Sequence, residues 1–308
     1  MIQPPDHPAI WKGEELASRS DWTRSFEDAD PETIRRDLEE GSGAILLRGF
    51  PVGEHTKDSA REAFRDWCST LGTLVSQNEK GDTVFDVSDA AFGQNDPRTR
   101  GPNTNRKLSF HTDRCDVIGF LCWKQAKTGG ENELVSSLHL YHEISRRRPD
   151  LLAVLEETFL YKRHTVDLGN AAAFCEQPIF SFEQGHFACS FLRVLIDRAH
   201  ADPDLPDLKP EQIEAMDFLE TVAGEREQAL HFRQEPGDIL LLNNWVTLHR
   251  RSAFEDHEDP EEKRCLFRTW LAMPNSRPLD PRFEANFGAT GAGEVRGGFR
   301  VSAPSTKE

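Results

Sequence analysis

Strand-like apolar runs stand near the start, in the middle and near the end of this chain, and the stretches between them carry helical spacing. The runs fall at residues 43–50, 111–123, 239–242 and 264–273. Short apolar runs of this kind, bounded by turn signals such as Arg48-Gly49-Phe50 and Pro236-Gly237-Asp238, read as buried strands. Asp30-Pro31 opens a helix that Gly41 ends, and Ala60, Phe64, Trp67 and Leu71 repeat as one helix face does. Ser136-Ser137 caps a helix running to about Arg148, Pro149-Asp150 opens the next, and residues 210–223 repeat in the same way. Residues 180–182 and 186–191 alternate around Gly185 as a hairpin would. Strands and helices do not alternate one for one, so a mainly β core with helical insertions (α+β) fits better than repeated βαβ units.

The chain has 308 residues and a formal net charge of -16. Such an acidic surface argues against non-specific binding of nucleic acid, which needs cations to neutralise phosphates. It leaves room for a small anionic substrate, because a local cluster of arginines can oppose the overall sign. No stretch approaches the roughly 18–20 apolar residues of a membrane span, and the first residues lack the pattern of a signal peptide. The six cysteines are scattered without a Cys-x-x-Cys pair, so free thiols and a cytoplasmic location are expected. A homo-oligomer is compatible with this composition. No Gly-x-Gly-x-x-Gly, phosphate loop or Gly-x-Ser-x-Gly elbow is present, so nucleotide and serine-hydrolase chemistry lack support.

Chemistry concentrates at Ser109-Phe110-His111-Thr112-Asp113 and at a distant histidine, His249. Residues i and i+2 of an extended strand point to one side, so His111 and Asp113 converge. Two histidines and one carboxylate form the facial ligand set of a non-haem iron(II) site with open positions. His139 and His142 share a helix face with Glu143, but the apolar residues around them mark an ordinary amphipathic helix. Residues 92–107 are polar, broken by glycine and proline, and read as a loop that can serve as a lid. Asn103, Asn105 and Lys107 on that loop, with Arg193 on a later segment, are candidate polar contacts to a substrate.

The whole assembly resembles the iron(II)- and 2-oxoglutarate-dependent dioxygenases of the taurine dioxygenase and clavaminate synthase-like family. The resemblance rests on Leu108-Ser109-Phe110-His111-Thr112-Asp113, Thr128-Gly129-Gly130-Glu131-Asn132 and Pro236-Gly237-Asp238 leading to Asn244 and His249. It continues through Arg264-Cys265-Leu266-Phe267-Arg268-Thr269-Trp270 and a late Gly293-Glu294-Val295-Arg296-Gly297-Gly298. It implies a double-stranded β-helix (jelly-roll) core and a single catalytic domain over residues 1–308. It also implies Fe(2+), 2-oxoglutarate and O2, with His111, Asp113 and His249 as the metal ligands. Arg264 would hold the distal carboxylate of 2-oxoglutarate through its planar fork. Arg268 occupies the position that in relatives often meets an anionic group of the substrate. Asn132 stands where the family commonly places a threonine that bonds the cosubstrate carboxylate, and its amide can donate in the same way. Related halogenases have lost the carboxylate that Asp113 supplies, so halogenation is not expected.

The function implied is hydroxylation or desaturation of a C–H bond in a small, anionic amino acid or natural-product intermediate, with release of succinate and CO2. Two other readings use the same residues: a non-catalytic jelly-roll protein that binds a metal or ligand, and an iron oxygenase that needs no 2-oxo acid.

Overall fold

The structure, a computed structural model, describes residues 6–92, 103–163 and 172–300. Its largest element is a seven-stranded sheet. Thr23–Ser25, Ala44–Arg48, Ile239–Asn243, Val117–Lys124 and Cys265–Ala272 lie side by side in that order, and Thr73–Val75 and Val84–Val87 both pair with the far edge of Cys265–Ala272. Only the first pair is parallel. Leu241 lies opposite Ile45 on one side and Gly119 on the other. One face of the sheet presents Ile45, Leu47, Leu121, Leu241 and Phe267 to Ile34, Leu38 and Phe64 of the helices Pro31–Glu40 and Lys57–Ser69. The other face presents Leu46, Ile118, Leu240 and Leu242 to Leu134 and Leu230 of a second, three-stranded sheet. Burial on both faces is why residues 239–242 are apolar without alternation.

The second sheet runs Leu230–Phe232, Asn132–Ser136, Thr247–Arg251, all antiparallel. Its outer side packs Val135 and Leu248 against the helices Ser137–Arg147, Pro149–Leu155 and Pro210–Ala223. The result is four layers, helix, sheet, sheet, helix, with a core on each side of both sheets. No helix among the described residues is long and apolar enough to cross a membrane. The helix boundaries follow the local signals: Asp30 accepts the Thr33 N–H at 2.8 Å, and Ser136 accepts the His139 N–H at 2.9 Å. The expected hairpin pairs Phe180–Glu183 with His186–Cys189. Its two-residue turn has φ of 49° at Gln184 and 86° at Gly185, the type I′ signature in which glycine removes the strain at one position. All six cysteines are free and buried.

One expectation changes. His111 and Val117–Lys124 do not form a continuous strand. His111 makes a single bridge to His249 in the small sheet, the chain bends at 114–116, and Val117–Lys124 enters the large sheet. The metal candidates therefore sit where the chain crosses between sheets. A buried carboxylate anchors this crossing: Asp116 accepts from Trp245 Nε1 at 2.8 Å, Arg296 Nε at 2.6 Å and the Met273 N–H at 2.9 Å. Arg296 has no exposed side-chain surface. Replacing Arg296 with leucine leaves Asp116 buried and under-compensated, and should cost about 3–5 kcal/mol of stability. Denaturant titration checks this, and a loss below about 1 kcal/mol would show that the pair does not brace the crossing.

Candidate active site

His111 and His249 face each other as a hydrogen-bonded antiparallel pair, with N–H···O distances of 3.0 and 3.1 Å. This pairing brings their ring centroids to 4.4 Å. Asp113 reaches back to the same point, its Oδ2 lying 3.4 Å from His249 Nε2 and 3.9 Å from His111 Nε2. One ligand atom from each residue lies within 4.8 Å of the others, and this is the only such His/Cys/Asp/Glu cluster among the described residues.

The neighbours prepare these atoms for coordination. His111 Nδ1 lies 2.9 Å from the Ser109 carbonyl, which can only accept, so Nδ1 carries the hydrogen and Nε2 presents its lone pair. Burial, with His249 beside it, pushes the His111 imidazole down to about 4, so it is neutral at pH 7. Burial alone would raise the Asp113 carboxyl, but Arg268, His249 and His111 hold it well below the usual carboxylate range. Its Oδ2 is buried without a hydrogen-bond partner. The donor set is thus two imidazoles and one carboxylate, which suits iron(II).

The three residues open into a cavity of about 580 Å³ that Asn132, Lys107, Arg193, Arg264 and Arg268 also line. Arg264 is 2% exposed, and its Nε and Nη1 are buried with no partner. Its guanidinium lies 5.1 Å from the Phe254 ring centroid. Burial draws Arg264 down to about 10, still cationic at pH 7. A buried guanidinium with unused donors is costly unless an anion completes it, and a carboxylate matches its fork. Asn132 donates through Nδ2 to Gln234 Oε1 at 3.2 Å.

Arg268 is placed closer to the donor triad than a role with the substrate alone requires. Its Nη1 is 3.4 Å from Asp113 Oδ1, its Nε donates to Gln77 Oε1 at 2.7 Å, and it lies over Trp270 at 5.0 Å. Arg193 lines the cavity while pairing with Asp217 and Glu220, each at 2.6 Å. Lys107 borders the cavity; Asn103 and Asn105 do not line it, and their carbonyls accept from Ala90 and Phe254. Within the proposed lid, residues 93–102 lie outside the described residues.

Three contributors escaped the sequence reading as site residues. Asn244 Oδ1 accepts the Asp113 N–H at 3.0 Å and its Nδ2 donates to the Cys115 carbonyl at 3.2 Å, fixing the turn that aims Asp113. A polar pair, Asn243-Asn244, at the end of a wholly apolar strand was the available signal, since buried amides must find partners. Gln77 gave none. Arg251, two residues beyond His249, donates to the Thr104 and Arg106 carbonyls at 2.7 and 2.5 Å and lies over the same Phe254 ring as Arg264.

These features describe a cluster of two histidines and one carboxylate that could hold a metal ion, beside a buried arginine with unused donors, and the comparisons agree with that class. The chain belongs to the family described as taurine catabolism dioxygenase TauD, TfdA family, whose pattern matches residues 12–270. It is an iron(II)- and 2-oxoglutarate-dependent dioxygenase that uses O2, which sets aside the non-catalytic reading. It is 34% identical over 245 residues to FR-33289 synthase of Streptomyces rubellomurinus, covering 78% of this chain and 72% of that one. In structure it is similar to an asparagine oxygenase solved with Fe(II), 2S,3S-3-hydroxyasparagine and succinate, with TM-score 0.62, 19% identity and coverage of 89% and 86%. It is also similar to the non-haem iron oxygenase OrfP solved with Fe, succinate and (3R,4R)-dihydroxy-L-Arg, with TM-score 0.56, 16% identity and coverage of 78% and 80%.

Proposed function

We propose that His111, Asp113 and His249 hold iron(II), that Arg264 and Asn132 receive the distal carboxylate of 2-oxoglutarate, and that Arg268 meets an anionic group of a small substrate. The carrying observation is Arg264: a buried guanidinium with Nε and Nη1 unpartnered, in one cavity with the donor triad. We read the two packed sheets as the halves of a double-stranded β-helix, in a single catalytic domain over residues 1–308. When bound, iron(II), 2-oxoglutarate and O2 supply the oxidation that hydroxylates or desaturates a substrate C–H bond and releases succinate and CO2.

The chain's own residues do the rest. Ser109 and Asn244 fix the orientation of His111 and Asp113 before any ligand arrives. Gln77 and Trp270 hold the Arg268 guanidinium at the mouth of the triad, where it can grip an anion while steadying Asp113. Lys107 adds positive charge at the cavity rim, and Arg193, already paired, would contribute shape more than charge. Asn103 and Asn105, near the end of the 92–107 loop, are further candidates for substrate contact. An amino acid or natural-product intermediate is the favoured substrate class, in keeping with the hydroxylated amino acids bound to the two structural relatives.

A panel of small carboxylates, sulfonates and amino acids, assayed for succinate release with iron(II) and 2-oxoglutarate, tests this. Anionic compounds should raise release above the substrate-free rate. Arg268→Ala should raise the KM of active compounds about tenfold or more, as loss of a charged hydrogen bond does, with little change in the KM for 2-oxoglutarate. Coupling confined to neutral or cationic compounds would defeat the role given to Arg268.

A further inference from the structure

Gln234 is fully buried beside Asn132 and was not singled out by the sequence. Its Nε2 donates to two main-chain carbonyls, Phe120 O at 3.1 Å and Asp238 O at 3.2 Å. Carbonyls only accept, so both hydrogens of that nitrogen are committed and the Gln234 amide has one orientation. Its Oε1 is left facing Asn132 as an acceptor. Asn132 answers with Nδ2 at 3.2 Å. Turning the Asn132 amide over would set Oδ1 against Oε1, two acceptors with no hydrogen between them. The Asn132 NH2 therefore stays on this side, with one hydrogen in the bond to Gln234 and the second left for a ligand in the cavity.

Gln234 is also tied to the arginine side of that cavity. Gln125 Nε2 donates to the Gln234 carbonyl at 2.6 Å. A Cβ on Gly130 would lie 3.2 Å from Gln125 Oε1 and 3.3 Å from Arg264 Nε, so Gln125 and Arg264 both close over this glycine. Gln234, Gln125, Gly130 and Arg264 thus form one packed sequence of contacts, with Asn132 branching from its buried end.

We propose that Gln234 is a positioning residue for the cosubstrate: it sets Asn132 so that an N–H, and not a carbonyl oxygen, meets the distal carboxylate of 2-oxoglutarate beside Arg264. This rests on the assignment of Arg264 and Asn132 to that carboxylate. An oxygen presented there would repel the carboxylate that Arg264 attracts, so the orientation of one amide governs cosubstrate affinity.

Calorimetric titration of 2-oxoglutarate into the iron(II)-loaded protein without oxygen gives Kd for wild type, Asn132→Ala, Gln234→Leu and the double variant. Each single change should weaken binding about tenfold, and the double variant should bind no more weakly than Asn132→Ala. The thermal midpoint, in contrast, should fall with Gln234→Leu in both backgrounds. If Gln234→Leu weakens binding by the same factor without Asn132, or leaves it unchanged with Asn132 present, the positioning role is wrong. Should leucine prevent folding, Gln234→Asn carries the same expectation, because it keeps the amide but withdraws it by one methylene. Arg264→Met tests the assignment beneath: unchanged affinity there overturns the carboxylate site itself. A loss there with unaltered Gln234→Leu overturns only the part played by Gln234.

Discussion

Arg264→Met should make the ligand-free protein more stable and leave it nearly unable to bind 2-oxoglutarate. The side chain is 2% exposed with Nε and Nη1 unpartnered, so the free protein carries a desolvated charge that the Phe254 ring and the nearby Asp256 offset only in part. Methionine fills similar space without that charge. Replacing buried charges with apolar residues of like volume often stabilises by about 1–4 kcal/mol. The same change deletes the bidentate partner of a buried carboxylate, a loss of about 3–5 kcal/mol, or roughly a hundredfold to a few thousandfold in Kd. Urea denaturation of the apoprotein and anaerobic titration of 2-oxoglutarate read the two effects separately. A destabilised apoprotein with normal affinity would mean that Arg264 is structural. Lysine should not restore binding, since it lacks the planar fork.

Asp113→Asn is expected to empty the metal site. The carboxylate is the single anion among His111, His249 and Arg268, and its Oδ2 is the buried atom left without a hydrogen bond. An amide of the same shape removes the charge and puts a possible donor where a ligand lone pair is needed. Iron affinity should fall by at least about a hundredfold, on the scale of breaking one partner of a buried charge pair, and succinate release should fall with it. Bound iron per chain and the rate of succinate formation are the measurements. A variant that retained both would remove Asp113 from the ligand set.

Much of the architecture was legible because it depends on local rules. The apolar run at 239–242 has no alternation because both of its faces are covered, and Asp30, Ser136 and Gly185 mark boundaries by chemistry confined to a few residues. The clustering of His111, Asp113 and His249 was legible from the assembly of family motifs around them, since a His-x-Asp pair alone is common and usually inert. The bend after Asp113 was not legible. It depends on Asp116 meeting Arg296 and Trp245 and on Asn244 meeting Asp113, contacts between residues far apart in sequence. Gln77 and Gln234 were invisible for a related reason. A glutamine in sequence carries no sign of whether its amide will be solvated or fully committed inside, and these two are committed to carbonyls and to the polar side chains that face the cavity.

The Asp116–Arg296 pair also bears on how this protein can be divided. The matched family pattern stops at residue 270, at the end of the arginine-bearing motif. Yet the guanidinium that neutralises the crossing between the sheets belongs to residue 296. The segment after residue 270 is thus part of the scaffold under the proposed metal ligands, although it lies outside the matched family pattern. A fragment trimmed to the matched region would keep every proposed ligand and lose the counter-charge beneath them. The matched pattern is therefore shorter than the stretch of chain that braces the proposed site.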